Sequence, residues 1–190
     1  MLRTHSSRRK SFASFRFGDN VKLIDLNLLL YAVNRDSVRH GAAKAWVEDT
    51  LSGTESVALP WVVVLGFLRL STNARVFPRP LDVRDAVAIV DSWFAQPQVL
   101  PLNPGADHWR LVHDLLTESG AAGNLTTDAH LAALAIEHGA ELCSTDSDFA
   151  RFPQLRWSNP IGSLGAKTAN QGGESTRFGG REASMTIHPP

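Results

Sequence analysis

One run of residues narrows the possible folds more than any other: Val21-Lys22-Leu23-Ile24-Asp25-Leu26-Asn27. A short apolar segment rich in branched side chains reads as a buried strand. This one ends on a carboxylate, with a carboxamide two residues later. Burying a charge is costly unless a partner compensates it. The simplest solution is a strand that stops at Asp25 and presents it to a crevice. In open parallel sheets, ligands sit beyond the carboxyl ends of the strands, and an Asp there is well placed to hold a metal ion. A second reading makes Asp25 the cap of the helix that follows. The stretch alone leaves both open.

The composition is that of a globular chain with room for one sizeable core. Lys+Arg and Asp+Glu balance to a formal net charge of +0. No global basic field announces nucleic acid, so any such partner must be met by a local patch. The single cysteine, Cys143, lies in an apolar segment and cannot form an internal disulfide, which fits a reducing, cytoplasmic setting. A thiol buried in a strand is a poor nucleophile. The longest apolar run, Leu23 to Val33, is too short to span a bilayer, and Asp25 and Asn27 interrupt it.

Three regions follow. Residues 1–20 carry Arg3, Arg8, Arg9, Lys10 and Arg16 among serines, with no apolar h-region for secretion. They read as a disordered basic arm, as sequence ahead of a start near Val21, or as a transit segment. Residues 21–160 alternate strand and helix patterns. Strands are expected at Ser56–Leu59, Val99–Leu102 and Glu141–Ser144, with an edge strand at Leu155–Trp157. Helices are expected from Leu28, from Asp36 or Ser37 to Gly53, and over Trp61–Thr72, Leu81–Ala95, Pro104–Glu118 and Thr126–His138. This alternation predicts a three-layer α/β domain with a central parallel sheet of four to five strands. Residues 161–190 are polar, without periodicity, and read as a disordered tail.

Asp25 ends the first strand; Asp146 and Asp148 follow the fourth; Asp128 opens the helix leading into it. If the first and fourth strands are neighbours, these carboxylates converge. Clustered carboxylates repel, and without a counter-charge some take up protons. A hard divalent cation such as Mg²⁺ resolves this with oxygen ligands and retained waters, and supplies what phosphodiester hydrolysis needs. Taken singly, each Asp also reads as a cap or a solvated loop acid.

Leu23-Ile24-Asp25-Leu26-Asn27-Leu28-Leu29-Leu30-Tyr31-Ala32 resembles the opening motif of PIN-domain nucleases, in particular the VapC toxins of bacterial toxin–antitoxin pairs. Leu125-Thr126-Thr127-Asp128-Ala129-His130 is similar to their second acidic motif, and Leu142-Cys143-Ser144-Thr145-Asp146-Ser147-Asp148-Phe149 to their third. The resemblance covers Val21 to Pro160. It implies a PIN-like fold and an endoribonuclease dependent on Mg²⁺, with Mn²⁺ able to substitute, acting on structured RNA such as tRNA or rRNA. It implies Asp25 and Asp128 as metal ligands and Asp146 as the third catalytic acid. Asn27 and Thr145 would support them by hydrogen bonds, and Asp148 through water. The implied partners are a small VapB-like antitoxin that occludes the site and a second copy in a homodimer.

The chain departs from that family at one position. A further acid, most often Glu, is usual on the helix after the second strand, and here Gly66 takes its place, with no carboxylate from Trp61 to Arg75. That keeps a degenerate module, binding RNA or an antitoxin without catalysis, as the alternative. A phosphatase of the D-x-D type is disfavoured because Asn27 stands where its second acid belongs. Arg69 could reach an RNA phosphate or serve the end of its own helix. The five tryptophans read as core, and His130 and His138 as packing or surface residues rather than a zinc pair.

Overall fold

The computed structural model describes residues 21–120, 123 and 125–162. The expected basic arm and polar tail therefore lie outside the described residues, apart from the tail's first two positions. Five strands, β1 (Val21–Ile24), β2 (Ser56–Pro60), β3 (Val99–Leu102), β4 (Glu141–Cys143) and β5 (Trp157–Ser158), form one parallel sheet in the order β3-β2-β1-β4-β5. Among the described residues six helices flank it: α1 (Leu26–Val33), α2 (His40–Ser52), α3 (Trp61–Ser71), α4 (Val83–Phe94), α5 (His108–Ser119) and α6 (Leu125–Glu137). The expected α/β architecture is present, and β1 sits at its centre.

Central placement explains why β1 carries no alternation. Val21, Leu23 and Ile24 are buried, as are Val57, Ala58 and Leu59 of β2 and Leu142 of β4. A strand covered on both faces has no solvent side for polar residues. The registers Leu23↔Ala58 and Leu23↔Leu142 put β1 between β2 and β4. The condition for convergence of the acidic positions is thus met, since β1 and β4 are neighbours.

Several boundaries move, each for a local reason. α1 begins directly after Asp25 rather than at Leu28, because the Asp25 carboxylate accepts from Leu26 N at 2.6 Å and caps the helix there. α2 begins at His40, not at Asp36 or Ser37. Those residues are used in a turn in which Asn34 Oδ1 accepts from Asp36 N and Ser37 Oγ from Arg39 N. α4 starts after Asp82, whose side chain accepts from Arg84 N at 2.8 Å. α5 starts at His108 rather than Pro104, because Glu137 takes the backbone N–H groups of Gly105 and Asp107. Gly139 lies beyond α6 at φ 62°, as expected of the residue that stops it.

The tryptophan expectation is only partly met. Trp93 is buried against Phe67, while Trp61 and Trp109 are 47% and 73% exposed. Apolar character does not separate core from surface at the start of a helix, where the covered face depends on packing. No described helix is long and apolar enough to cross a membrane.

Ile161 packs partly against the core, one residue past the boundary expected at Pro160. We propose residues 21–162 as the folding unit. That polypeptide should unfold in one cooperative transition with the thermal midpoint of the full chain. Ending it at Leu155 removes β5 and uncovers β4, and should cost about 2 kcal/mol or more in denaturant titration.

Candidate functional site

The site begins with the cost of burying Asp25, which is 7% exposed. Its N–H donates to Cys143 O at 3.0 Å, carrying the β1–β4 pairing to the end of the strand. One carboxylate oxygen caps α1; the other accepts from the Ser144 hydroxyl at 2.7 Å. The cap expected of Asp25 is therefore present, and it leaves the second oxygen at the sheet's carboxyl edge.

Ser144 is the residue that sequence reasoning missed. Its hydroxyl donates to Asp25 and accepts from Asn27 Nδ2 at 2.9 Å and from Asp146 N at 3.0 Å. A hydroxyl offers one donor and two acceptor sites, and all are used. Ser144 is fully buried, and Trp157 Nε1 donates to its carbonyl. The expected support from Thr145 comes from its backbone, whose N–H donates to Asn27 Oδ1 at 3.4 Å. The only prior signal for Ser144 was its place between a buried strand and the T-x-D-x-D segment, where a small polar residue is unremarkable.

The carboxylates open on one cleft of about 260 Å³. Asp25, Asn27, Thr127, Asp128 and Asp146 give it a polar wall; Leu26, Leu30, Val62, Val63 and Leu131 give it an apolar one. Asp128 reaches it from the first turn of α6, and Asp146 from the cap of a 3-10 turn over Ser147–Arg151. Asp148 and Arg69 are absent from this lining. Asp148 pairs with Arg151 at 3.0 Å, and Arg69 is exposed on the last turn of α3.

Electrostatics mark the same cleft. Burial pushes Asp128 up to about 6, with Asp146, Asp25 and Asp148 adding repulsion and Arg151 opposing it. Asp25 is also raised, chiefly by burial, against the bonds from Ser144 and Leu26. Outside the cleft, burial and Glu141 push the Cys143 thiol up to about 12, so it is inert as a nucleophile.

Asp25 and Asp128 share a cleft and hold their protons more tightly than free carboxylates, which fits a hard divalent cation. Among the described residues no group of three His, Cys, Asp or Glu side chains closes to chelating distance. Gly66 contributes nothing to the lining. A Cβ there would lie 2.7 Å from Leu26 Cδ2, so the absent side chain makes room for the apolar wall. His130 and His138 are packing residues as expected: His130 meets His108 at 2.8 Å, and His138 bonds Asn103 O.

The parallel sheet carries acids beyond the ends of β1 and β4, and the family described as PIN domain matches residues 22–155. Ribonuclease VapC37 of Mycobacterium tuberculosis is 44% identical over 140 residues, covering 74% of this chain and 97% of its own. Ribonuclease VapC33 of the same species is 45% identical over 137 residues, covering 72% and 96%. The chain belongs to the PIN-domain family and, within it, to the VapC ribonucleases. Two solved structures share the fold. One is VapBC2 from Rickettsia felis bound to a promoter DNA fragment, with TM-score 0.54, 17% identity, and 73% and 98% of the chains covered. The other is the sarcin-ricin-loop-cleaving toxin VapC20 of M. tuberculosis, with TM-score 0.52, 21% identity, and 68% and 92% covered.

Two measurements test the site. Ser144→Ala leaves Asp25, Asn27 and the Asp146 N–H short of a buried partner; it should cost about 1–3 kcal/mol of stability and weaken divalent-cation affinity about tenfold or more. The second is a pH dependence. Folded Asp128 keeps its proton to about 6, whereas the unfolded chain releases it near 3.8. Between those values unfolding releases a proton, so stability without metal should fall as the pH rises through that window. Cation binding needs the carboxylate, so the thermal shift on adding Mg²⁺ should be small near pH ~5 and large above pH ~7. Asp128→Asn should flatten both profiles.

Proposed function

We propose that this chain is the toxin of a type II toxin–antitoxin pair: a cytoplasmic, Mg²⁺-dependent endoribonuclease that hydrolyses phosphodiester bonds in structured RNA such as tRNA or rRNA. The carrying observation is the meeting of Asp25, Asp128 and Asp146 in one cleft, two of them with raised proton affinity. The family is generally dependent on divalent metal. In this reading Mg²⁺, or Mn²⁺ in its place, is held by Asp25 and Asp128, with Asp146 completing the acidic wall. A bound divalent cation supplies positive charge against the charge developing on the phosphodiester and makes water a stronger acid.

The chain's own residues supply order. Asp25 is held at both oxygens, so little motion is lost when it takes a ligand. Asn27 is fixed by Ser144 and the Thr145 N–H, which orients its amide at the cleft floor. The apolar wall limits water and strengthens each electrostatic contact opposite it. The non-catalytic alternative rests on Gly66, and its absent side chain is accounted for by Leu26 while the three acids remain in place. A small VapB-like antitoxin is the partner, and the structural relatives VapBC2 of R. felis and VapBC-1 of Haemophilus influenzae bear the names of such complexes. An arginine inserted into the carboxylate cleft would pair in bidentate fashion and occlude it. A homodimer is part of the same proposal.

Asp25→Asn and Asp128→Asn should each lower Mg²⁺-dependent cleavage of total RNA by at least about a hundredfold. The Asp128 variant should keep or gain thermal stability without metal, as repulsion is relieved. Expression of the unmodified chain should arrest growth, and co-expression of its antitoxin should restore it. Undiminished cleavage by either variant overturns the site assignment, and growth unaffected by abundant folded protein overturns the toxin.

A further inference from the structure

A carboxylate-lined cleft repels a polyanion, and the chain has no net positive charge to offset this. The attraction must come from cations placed near the cleft. Among the described residues, Lys22, Lys44, Arg79, Arg110 and Arg151 are each neutralised by an ion pair: Lys22 by Glu55, Lys44 by Glu48, Arg79 by Asp36, Arg110 by Asp107 and Asp114, Arg151 by Asp148. Of the arginines without such a pair among the described residues, Arg39 is the one held on an aromatic side chain.

Its anchor is Tyr31. Leu26, Asn27 and Leu30 of α1 line the cleft, and Tyr31 follows one turn beyond Asn27 on the same side of the helix, about 6 Å along its axis. Arg39 Nη1 donates to Tyr31 Oη at 3.1 Å, and its guanidinium carbon lies 5.2 Å from the ring centroid. Next in sequence, His40 Nδ1 bonds the Tyr31 carbonyl at 3.2 Å. The turn carrying Arg39 is fixed as well: Ser37 Oγ accepts from Arg39 N, and Asp36 is tied to Arg79 across the 72–82 loop. Ordering a long side chain costs rotamer entropy, and an aromatic face and a phenol have met that cost before any ligand arrives. Arg39 is exposed, so its remaining donors face solvent.

We infer that Arg39, held on Tyr31, is a substrate-binding residue that takes a backbone phosphate of the RNA beside the scissile bond. A planar fork of N–H donors suits a phosphate and needs no particular base. Tyr31 is the positioning residue. The inference rests on the ribonuclease reading above and names a contact for that substrate.

The test compares the unmodified full chain with Arg39→Ala, Arg39→Met and Arg35→Ala. Arg39→Met keeps an apolar stem on Tyr31 and serves if the alanine variant unfolds. Arg35 is a nearby exposed arginine on the same turn that is not held on Tyr31. Cleavage of total RNA with Mg²⁺ gives kcat and KM, and anisotropy of a labelled 20-nucleotide poly(U) in EDTA gives binding without cleavage. Loss of Arg39 should raise KM and the poly(U) Kd about tenfold, hold kcat within about twofold, and reduce the salt slope of binding by about one. Arg35→Ala should stay within about twofold on every measure. Equal poly(U) affinity for the unmodified chain and Arg39 variants, including none for either, overturns the inference. Equal losses for Arg35 and Arg39 also overturn it, since charge without placement would then suffice. Absence of cleavage by the unmodified chain counts against the ribonuclease reading alone, and the poly(U) comparison still decides the role of Arg39.

Discussion

The structure depends on keeping one carboxylate at the end of its central strand. Asp25 is nearly excluded from water, and a buried charge persists only when bonded. Meeting that demand fixes its surroundings. One oxygen needs the Leu26 N–H, so α1 starts at once. The other needs the Ser144 hydroxyl, so β4 must lie beside β1 and end level with it. Through the same hydroxyl, Asn27 and the Asp146 backbone are drawn in, and the 3-10 turn that presents Asp146 is set. The site and the centre of the sheet are thus one hydrogen-bonded unit, and damage to either should register in both.

Across the cleft the chain does the opposite and removes polarity. Leu26, Leu30, Val62 and Val63 face the acids. Gly66 of α3 brings no side chain, and Leu26 fills the space. Burial beside this apolar wall raises the proton affinity of Asp25 and Asp128. Asp128 shows the result: burial shifts it more than any single neighbouring charge does. A cation bound by Asp128 would compete with a proton held up to about pH 6.

Outside the cleft, Lys22, Lys44, Arg79, Arg110 and Arg151 are neutralised by local ion pairs. Exposed pairs such as Lys44–Glu48 and Arg110–Asp114 add little to stability, but they cancel the charge of those cations. By contrast, the Arg39 guanidinium is clamped on an aromatic ring of the cleft-lining helix.

The sequence by itself determined the fold class and the acidic positions. Strand and helix periods are properties of the local chain, and two acids at strand ends with a third at the start of the intervening helix, in an alternating α/β pattern, leave few ways to avoid one another. Helix starts were less legible. Asp36, Ser37 and Pro104 are all plausible caps, and the choice went to long-range or turn bonds such as those from Glu137 to Gly105 and Asp107. Trp61 and Trp109 look like core residues to any count of apolar side chains, and packing left them on the surface. Only the tertiary structure could single out Ser144, Leu26 and Arg39. Each acts on a partner distant in sequence or on another element: a hydroxyl joining two strands, a leucine filling the space left by a glycine, a guanidinium folded back onto α1. Pairwise geometry of that kind has no period along the chain, so it emerges only when the elements are packed.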